Sequence, residues 1–211
     1  MEEYVNDFAK MALALASAQL AKETAIKEQG IGEDLKAHFM GWNEEDLTIV
    51  AQMKEDVSRY SQADRFERCA ILCKILRKHW WVSSLTMVSE GYCSLDYPTT
   101  ENYDLAVAYA DTSLPVFECI TVIHVTLDES GIISPVSMVA APYVTKIGRV
   151  VEWQDVLVYP EITAKNLRQY KYPLMLTNSM MERLSEDSNE ETIMQARAEV
   201  EQCGFLLQEL Y

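Results

Sequence analysis

The sequence predicts an α+β fold in which N-terminal helices pack on a four- or five-stranded, mainly antiparallel sheet and a C-terminal helix follows. Three observations predict it. Residues 1–80 carry apolar side chains at helical spacing, residues 81–160 change to β-branched runs separated by turn residues, and residues 161–211 return to the helical pattern. No repeat, low-complexity tract or Gly/Ser linker divides these parts, so the 211 residues read as a single α+β domain. With 49% hydrophobic residues, 7 Gly and 6 Pro, the chain is too apolar to be disordered, collagenous or a linker array. Folding a chain of this mass buries about 70% of its unfolded surface.

Residues 3–28 read as an Ala-rich helix, with Val5, Phe8, Ala12 and Leu15 on one side and Gly30 beyond its end. A second helix is expected from Asn43, a capping residue with Asp46 three positions on, through Leu47, Val50, Ala51 and Val57 to about Tyr60. The third has the same signature at Ser61 and Asp64. Its stripe of Phe66, Cys69, Ala70, Cys73, Leu76 and Trp80 is joined on the other side by Ile71 and Ile75, which predicts a helix held between other helices and the sheet.

The period then changes. Residues 81–89 read as a half-buried strand, residues 95–103 as a loop, residues 104–110 (DLAVAYA) as a strand or a short helix, and residues 119–127 (CITVIHVTL) as a strand. Asp128-Glu129-Ser130-Gly131 is turn chemistry. Residues 132–144 return as its partner, with Pro135 and Pro142 placing that strand at an edge or interrupting it. Residues 148–159 supply another strand. A capping box at Ser188–Glu191 opens the last helix through Ile193, Ala196 or Arg197, Val200 and Cys203 to a stop at Gly204. The apolar Phe205-Leu206-Leu207 then docks on the core or pairs in a dimer.

Compartment follows from composition. Five scattered Cys, an odd number, fit free thiols in a reducing cytoplasm better than a disulfide framework. The segment from Met11 to Ala18 resembles a signal-peptide core but follows Glu2, Glu3 and Asp7 where a signal peptide is basic. Apolar runs stop short of the 18 or so residues that a membrane span needs. A soluble cytoplasmic protein without membrane contact is expected.

The net charge of -15 is unevenly placed. Residues 79–145 contain eight acidic groups and no Lys or Arg, while the flanking parts are closer to balance. Direct nucleic-acid binding by phosphate neutralisation is disfavoured, because it needs clustered cations. The candidate interaction surface is this acidic stretch, with Glu90, Asp96, Glu101, Asp104, Asp111 and Glu118.

Chemistry-bearing patterns are few. Cys69 and Cys73 lie one helical turn apart with His79 nearby, but zinc needs four ligands and no second pair follows. The carboxylates Glu90, Asp96, Glu101 and Asp104 match no calcium loop. No metal centre and no cofactor is expected. Alternation places His124 opposite Ile123 and Val125, as a hydrogen-bonded or solvent-facing sheet histidine; pairing with Cys93 or Cys119 as a nucleophile lacks an oxyanion turn and an orienting group. Phosphate-cradling Gly-rich loops are absent. Trp80-Trp81 reads as an anchor of helix onto sheet, with a ligand platform as the alternative.

Val88-Ser89-Glu90-Gly91-Tyr92, followed by a loop with Pro98 and Asp104 and then a hairpin, resembles a segment shared by a diffuse group of uncharacterised phage and bacterial proteins. The resemblance implies a phage or bacterial setting and no reaction. The functional expectation is a non-enzymatic interaction or accessory protein that meets a protein partner, of basic surface, through residues 79–145. Three alternatives compete with it. One is an enzyme built around Glu90 and His124, which requires the two within a few ångströms in a pocket. Another is a DNA-mimic inhibitor, and the third is a structural homodimer sealed by residues 205–211.

Overall fold

The computed structural model describes residues 37–44, 46–55, 60–94, 116–126, 137–146, 149–154, 157–158, 178 and 193–209. The expected helix at 3–28, the loop at 95–103, the strand or helix at 104–110, the turn at 128–131 and the cap at 188–191 lie outside them. Among the described residues are eight strands and two helices of more than one turn. The strands are β1 (His38–Asn43), β2 (Asp46–Met53), β3 (Ser84–Ser94), β4 (Val116–Thr126), β5 (Ser137–Lys146), β6 (Arg149–Trp153), β7 (Leu157–Val158) and β8 (Phe205–Glu209). The helices are α1 (Gln62–Trp80) and α2 (Ile193–Gln202). All strand pairs are antiparallel, in the order β6-β5-β4-β3-β1-β2-β8, with β7 also on β5. The α+β class stands, but the sheet is larger than four or five strands, and the part before α1 contributes two of them.

The helix expected from Asn43 is instead a hairpin. Asn43 pairs with Asp46, and Glu44 at the tip adopts a left-handed φ of 53°. The misleading signal has a physical origin in the register shift between Gly41 and Trp42, where Trp42 faces Leu47 and Gly41 faces Ile49. Thr48 is the extra residue of a bulge, and its Oγ1 donates to the Gly41 carbonyl at 3.1 Å. The bulge sets Leu47 and Val50 on one face and Ile49, Ala51 and Met53 on the other. An i, i+3 pair therefore shares a face, as it would on a helix. The β-branched run Thr48-Ile49-Val50 favours the strand.

α1 forms as its sequence dictates. Ser61 accepts from the Asp64 amide at 3.2 Å and the Ser61 amide donates back to Asp64 at 3.3 Å, a reciprocal capping box. Arg77, Lys78 and His79 occupy the last turn, where a cation complements the helix dipole. Its buried Cys69, Leu72, Cys73, Ile75 and Leu76 lie on Phe39, Ile49, Met53, Leu85, Met87, Ile123 and Val125 of the sheet, joined by Ala196 and Val200 of α2. The opposite sheet face carries a second buried cluster: Met40, Trp42, Val88, Ile120, Val122, Val139 and Tyr143.

Pro142 lies in an inner strand, not an edge. It sits where the outer partner of β5 passes from β7 at Val139 and Ala140 to β6 at Tyr143, so its missing N–H falls at a break in the ladder. Its carbonyl accepts from Gln154 N at 2.9 Å. The strand expected over 148–159 is accordingly divided into β6 and β7.

Phe205-Leu206-Leu207 docks by joining the sheet: β8 pairs with β2, and Phe205 meets Phe39 edge-on at 5.6 Å. The turn from α2 into β8 depends on Gly204, at φ +91°. A Cβ there would approach Arg68 Nη1 to 2.9 Å. Arg68 stacks over the Tyr60 ring at 4.2 Å and donates to the Cys203 carbonyl, while Lys54 N donates to the Gly204 carbonyl at 2.8 Å. No described helix is long and apolar enough to cross a membrane.

Two glycine substitutions test this packing by urea unfolding. In Gly41→Ala the added Cβ meets Val82 Cγ2 at 2.7 Å and Ile49 Cγ2 at 2.9 Å, both in the core, and the expected loss is about 1–3 kcal/mol. Gly204→Ala forces an L-residue into left-handed backbone and costs at least about 1 kcal/mol.

Candidate functional site

Strand alternation decides which side chains can meet. On the face away from α1, β3 presents Ser84, Thr86, Val88 and Glu90, and β4 presents Glu118, Ile120, Val122 and His124. Ser84 pairs with Thr126, Thr86 with His124, and Glu90 with Ile120. Glu90 and His124 thus share a face but stand four positions apart, about 13 Å along the strand. The structure does not bring them together, and each is engaged where it stands.

His124 is buried and both ring nitrogens meet hydroxyls. Nδ1 lies 2.7 Å from Thr86 Oγ1, and Nε2 lies 3.1 Å from Thr126 Oγ1. Thr86 Oγ1 also accepts from Trp42 Nε1 at 2.9 Å. The expectation from alternation is met, since Ile123 and Val125 are in the α1-side core. Cys119 lies on that same side, so it shares no face with His124. Cys93 has no described side chain.

At the other end of the face, Glu90 accepts a hydrogen bond from the hydroxyl of buried Tyr143. Tyr143 stands directly across from Glu118 on β4 and packs against Trp153 with ring centroids 5.3 Å apart. Glu118 lies diagonal to Glu90, about 7–8 Å between backbones. Burial first, then the bond to Glu90 and the charges of both carboxylates, hold the Tyr143 phenol protonated well above its usual range. Of the acidic residues singled out by composition, Glu90 and Glu118 are half-buried and flank this phenol, while Asp96, Glu101, Asp104 and Asp111 lie outside the described residues.

Cys69 and Cys73 sit one turn apart on the buried side of α1, and burial together with this proximity raises the Cys69 thiol far above the range of a nucleophile. Trp80 packs against the core, as an anchor should. Trp81 does not. It caps α1 in left-handed backbone at φ 47° and is 75% exposed. Sequence alone gives no sign of this, because the αL cap that turns the second indole outward is a position where glycine is usual.

The Tyr143–Glu90 contact has a pH signature. A phenol whose folded pKa is raised keeps its proton while the unfolded chain loses it, so stability is full below the ordinary phenol value of 10.0 and falls above it. Denaturant unfolding at pH values above 10 is expected to lose about 1.4 kcal/mol per pH unit from this group. Tyr143→Phe should flatten that slope by one proton while lowering stability at neutral pH by about 1–2 kcal/mol. No protein-family model, curated protein or solved structure matches this chain.

Proposed function

We propose that this chain is a non-enzymatic interaction protein of a phage or bacterial system, meeting a basic partner protein through residues 79–145 with Trp81 as an anchor. The observation that carries the reading is Trp81. A bulky side chain in left-handed backbone costs roughly 1–2 kcal/mol relative to an ordinary conformation, and here the ring recovers little of that by burial. A residue that opposes both local propensity and burial points to a rationale outside the folded monomer, and Trp, with Tyr and Arg, is enriched among the residues that carry binding energy at protein interfaces.

Two further points support it. The residues that would make an enzyme of this chain, Glu90 and His124, are committed to Tyr143 and to the Thr86 and Thr126 hydroxyls at separate places. The stretch from 79 to 145 also holds no Lys or Arg, so its field carries a single sign and favours encounter with a basic surface.

Trp81→Gly separates the two demands on this residue. The unfolding temperature should stay the same or rise, because glycine suits the αL cap. Binding to a host protein captured by the full chain should weaken by about 2 kcal/mol or more. That complex should also dissociate as salt shortens the Debye length from about 10 Å at about 0.1 M to about 3 Å at about 1 M. A complex indifferent to both Trp81→Gly and salt would overturn the reading.

A further inference from the structure

The two ends of the described sheet differ in chemistry. β6, the outer strand at one end, carries Arg149 and Glu152, and charged side chains are a usual guard against pairing with another chain. β8, at the other end, reads Phe205-Leu206-Leu207-Gln208-Glu209. Its single charged residue, Glu209, forms an ion pair with Arg197 of α2. Leu206 lies on the face away from α1, because its neighbours Phe205 and Leu207 belong to the α1-side core, and it is 50% exposed.

Hydrogen bonding along β2 decides which backbone groups of β8 face outward. Strand residues direct their N–H and C=O alternately to one side and the other. Met53 N donates toward β1, to Ala37 O at 2.9 Å, and Lys54 N donates toward β8, to Gly204 O at 2.8 Å. Gln52 and Val50 therefore face β8, and their partners Leu206 and Gln208 face β2. Phe205, Leu207 and Glu209 direct their N–H and C=O away from β2, where no further strand follows among the described residues.

We propose that β8 pairs antiparallel with β8 of a second copy of this chain about a two-fold axis at Leu207, so that two sheets become one. Leu207 then exchanges backbone hydrogen bonds with Leu207 of the second copy, and Phe205 does so with Glu209 of the second copy. This register suits a second copy better than a basic partner. It sets the two Glu209 residues four positions apart, about 13 Å along the strand, and each carboxylate keeps its own Arg197. Leu206 faces Gln208 of the second copy and lies diagonal to Leu206 of that copy, about 7–8 Å away, so the two exposed leucines shield one another. The pairing uses no residue of the Trp81 reading, and either can fail without the other.

Light scattering and amide hydrogen exchange on the full chain test the pairing. An interface of one short strand is small, so the molar mass should climb from 24.1 kDa toward twice that value between about 1 µM and about 1 mM. Over the same range the Leu207 amide, which lacks a strand partner in the single chain, should become protected from exchange. Leu206→Lys, at a position already half-exposed, should hold the mass at 24.1 kDa, because it brings two ammonium groups together across the axis. Trp81→Gly should leave the dimer intact. A parent chain that stays at 24.1 kDa up to about 1 mM overturns the proposal. So does a dimer whose Leu207 amide exchanges as fast as in the single chain, one that Leu206→Lys leaves at full strength, or one that Trp81→Gly abolishes. If Leu206→Lys does not fold, the Leu207 exchange of the parent chain decides the matter.

Discussion

Much of this architecture depends on how the chain passes from α1 into β3 within three residues. Trp81 turns through left-handed backbone, and Val82 and Ile49 lie so close to Gly41 that a Cβ there would meet them at 2.7 and 2.9 Å. Ser83 then fixes the path, its amide donating to the Trp42 carbonyl at 2.8 Å and its hydroxyl accepting from the Glu44 amide at 3.1 Å. This junction sets β3 beside β1 in a register that faces Trp42 to Ser84 and Met40 to Thr86. It also lays the apolar side of α1 over one sheet face, leaving the other to the Trp42–Thr86–His124 chain and the Tyr143 cluster. A glycine inside β1 weakens that strand intrinsically, and here close approach of Val82 supplies the packing that a side chain would have given.

The two sheet faces show why burial and polarity are not alternatives. The α1 side is almost wholly apolar. The other face encloses Ser84, Thr86 and His124 among Trp42, Val88 and Val122, and most of its polar atoms are bonded to one another. Such networks gain from low local polarity only while their members are paired. Glu90 and Glu118 extend the same theme. They belong to the acidic stretch by composition, yet in the fold they flank a buried phenol, so part of the negative charge of residues 79–145 has a structural position as well as any role at a surface.

How far the sequence was legible follows the range of the interactions involved. α1 was readable because its cap is made by residues three apart, and β4 because an unbroken β-branched run has no competing period. The hairpin of β1 and β2 was not, because a bulge with no glycine tip gave Leu47 and Val50 a helical spacing. β8 looked only like an apolar end, since nothing local marks a strand whose partner lies so far back in the chain. The candidate site divides in the same way. Alternation correctly assigned His124 a face. Its Nδ1 meets Thr86, 38 residues back on β3, and the hydroxyl that Glu90 accepts from lies 53 residues away, both beyond any local pattern.

β8 has a consequence in time. Its partner β2 ends at Met53, and about 150 residues separate that point from Phe205. At about 5–20 residues per second, the ribosome needs roughly 10–30 s to make this stretch. Throughout that interval β2 has its hairpin partner β1 on one side and an edge not yet joined by β8 on the other. The N–H and C=O groups of that edge are a template for any extended segment that reaches them first. The contacts of Arg68 and Lys54 with the α2–β8 turn therefore do more than hold a finished structure: they mark the step at which a nascent chain stops being adhesive along β2.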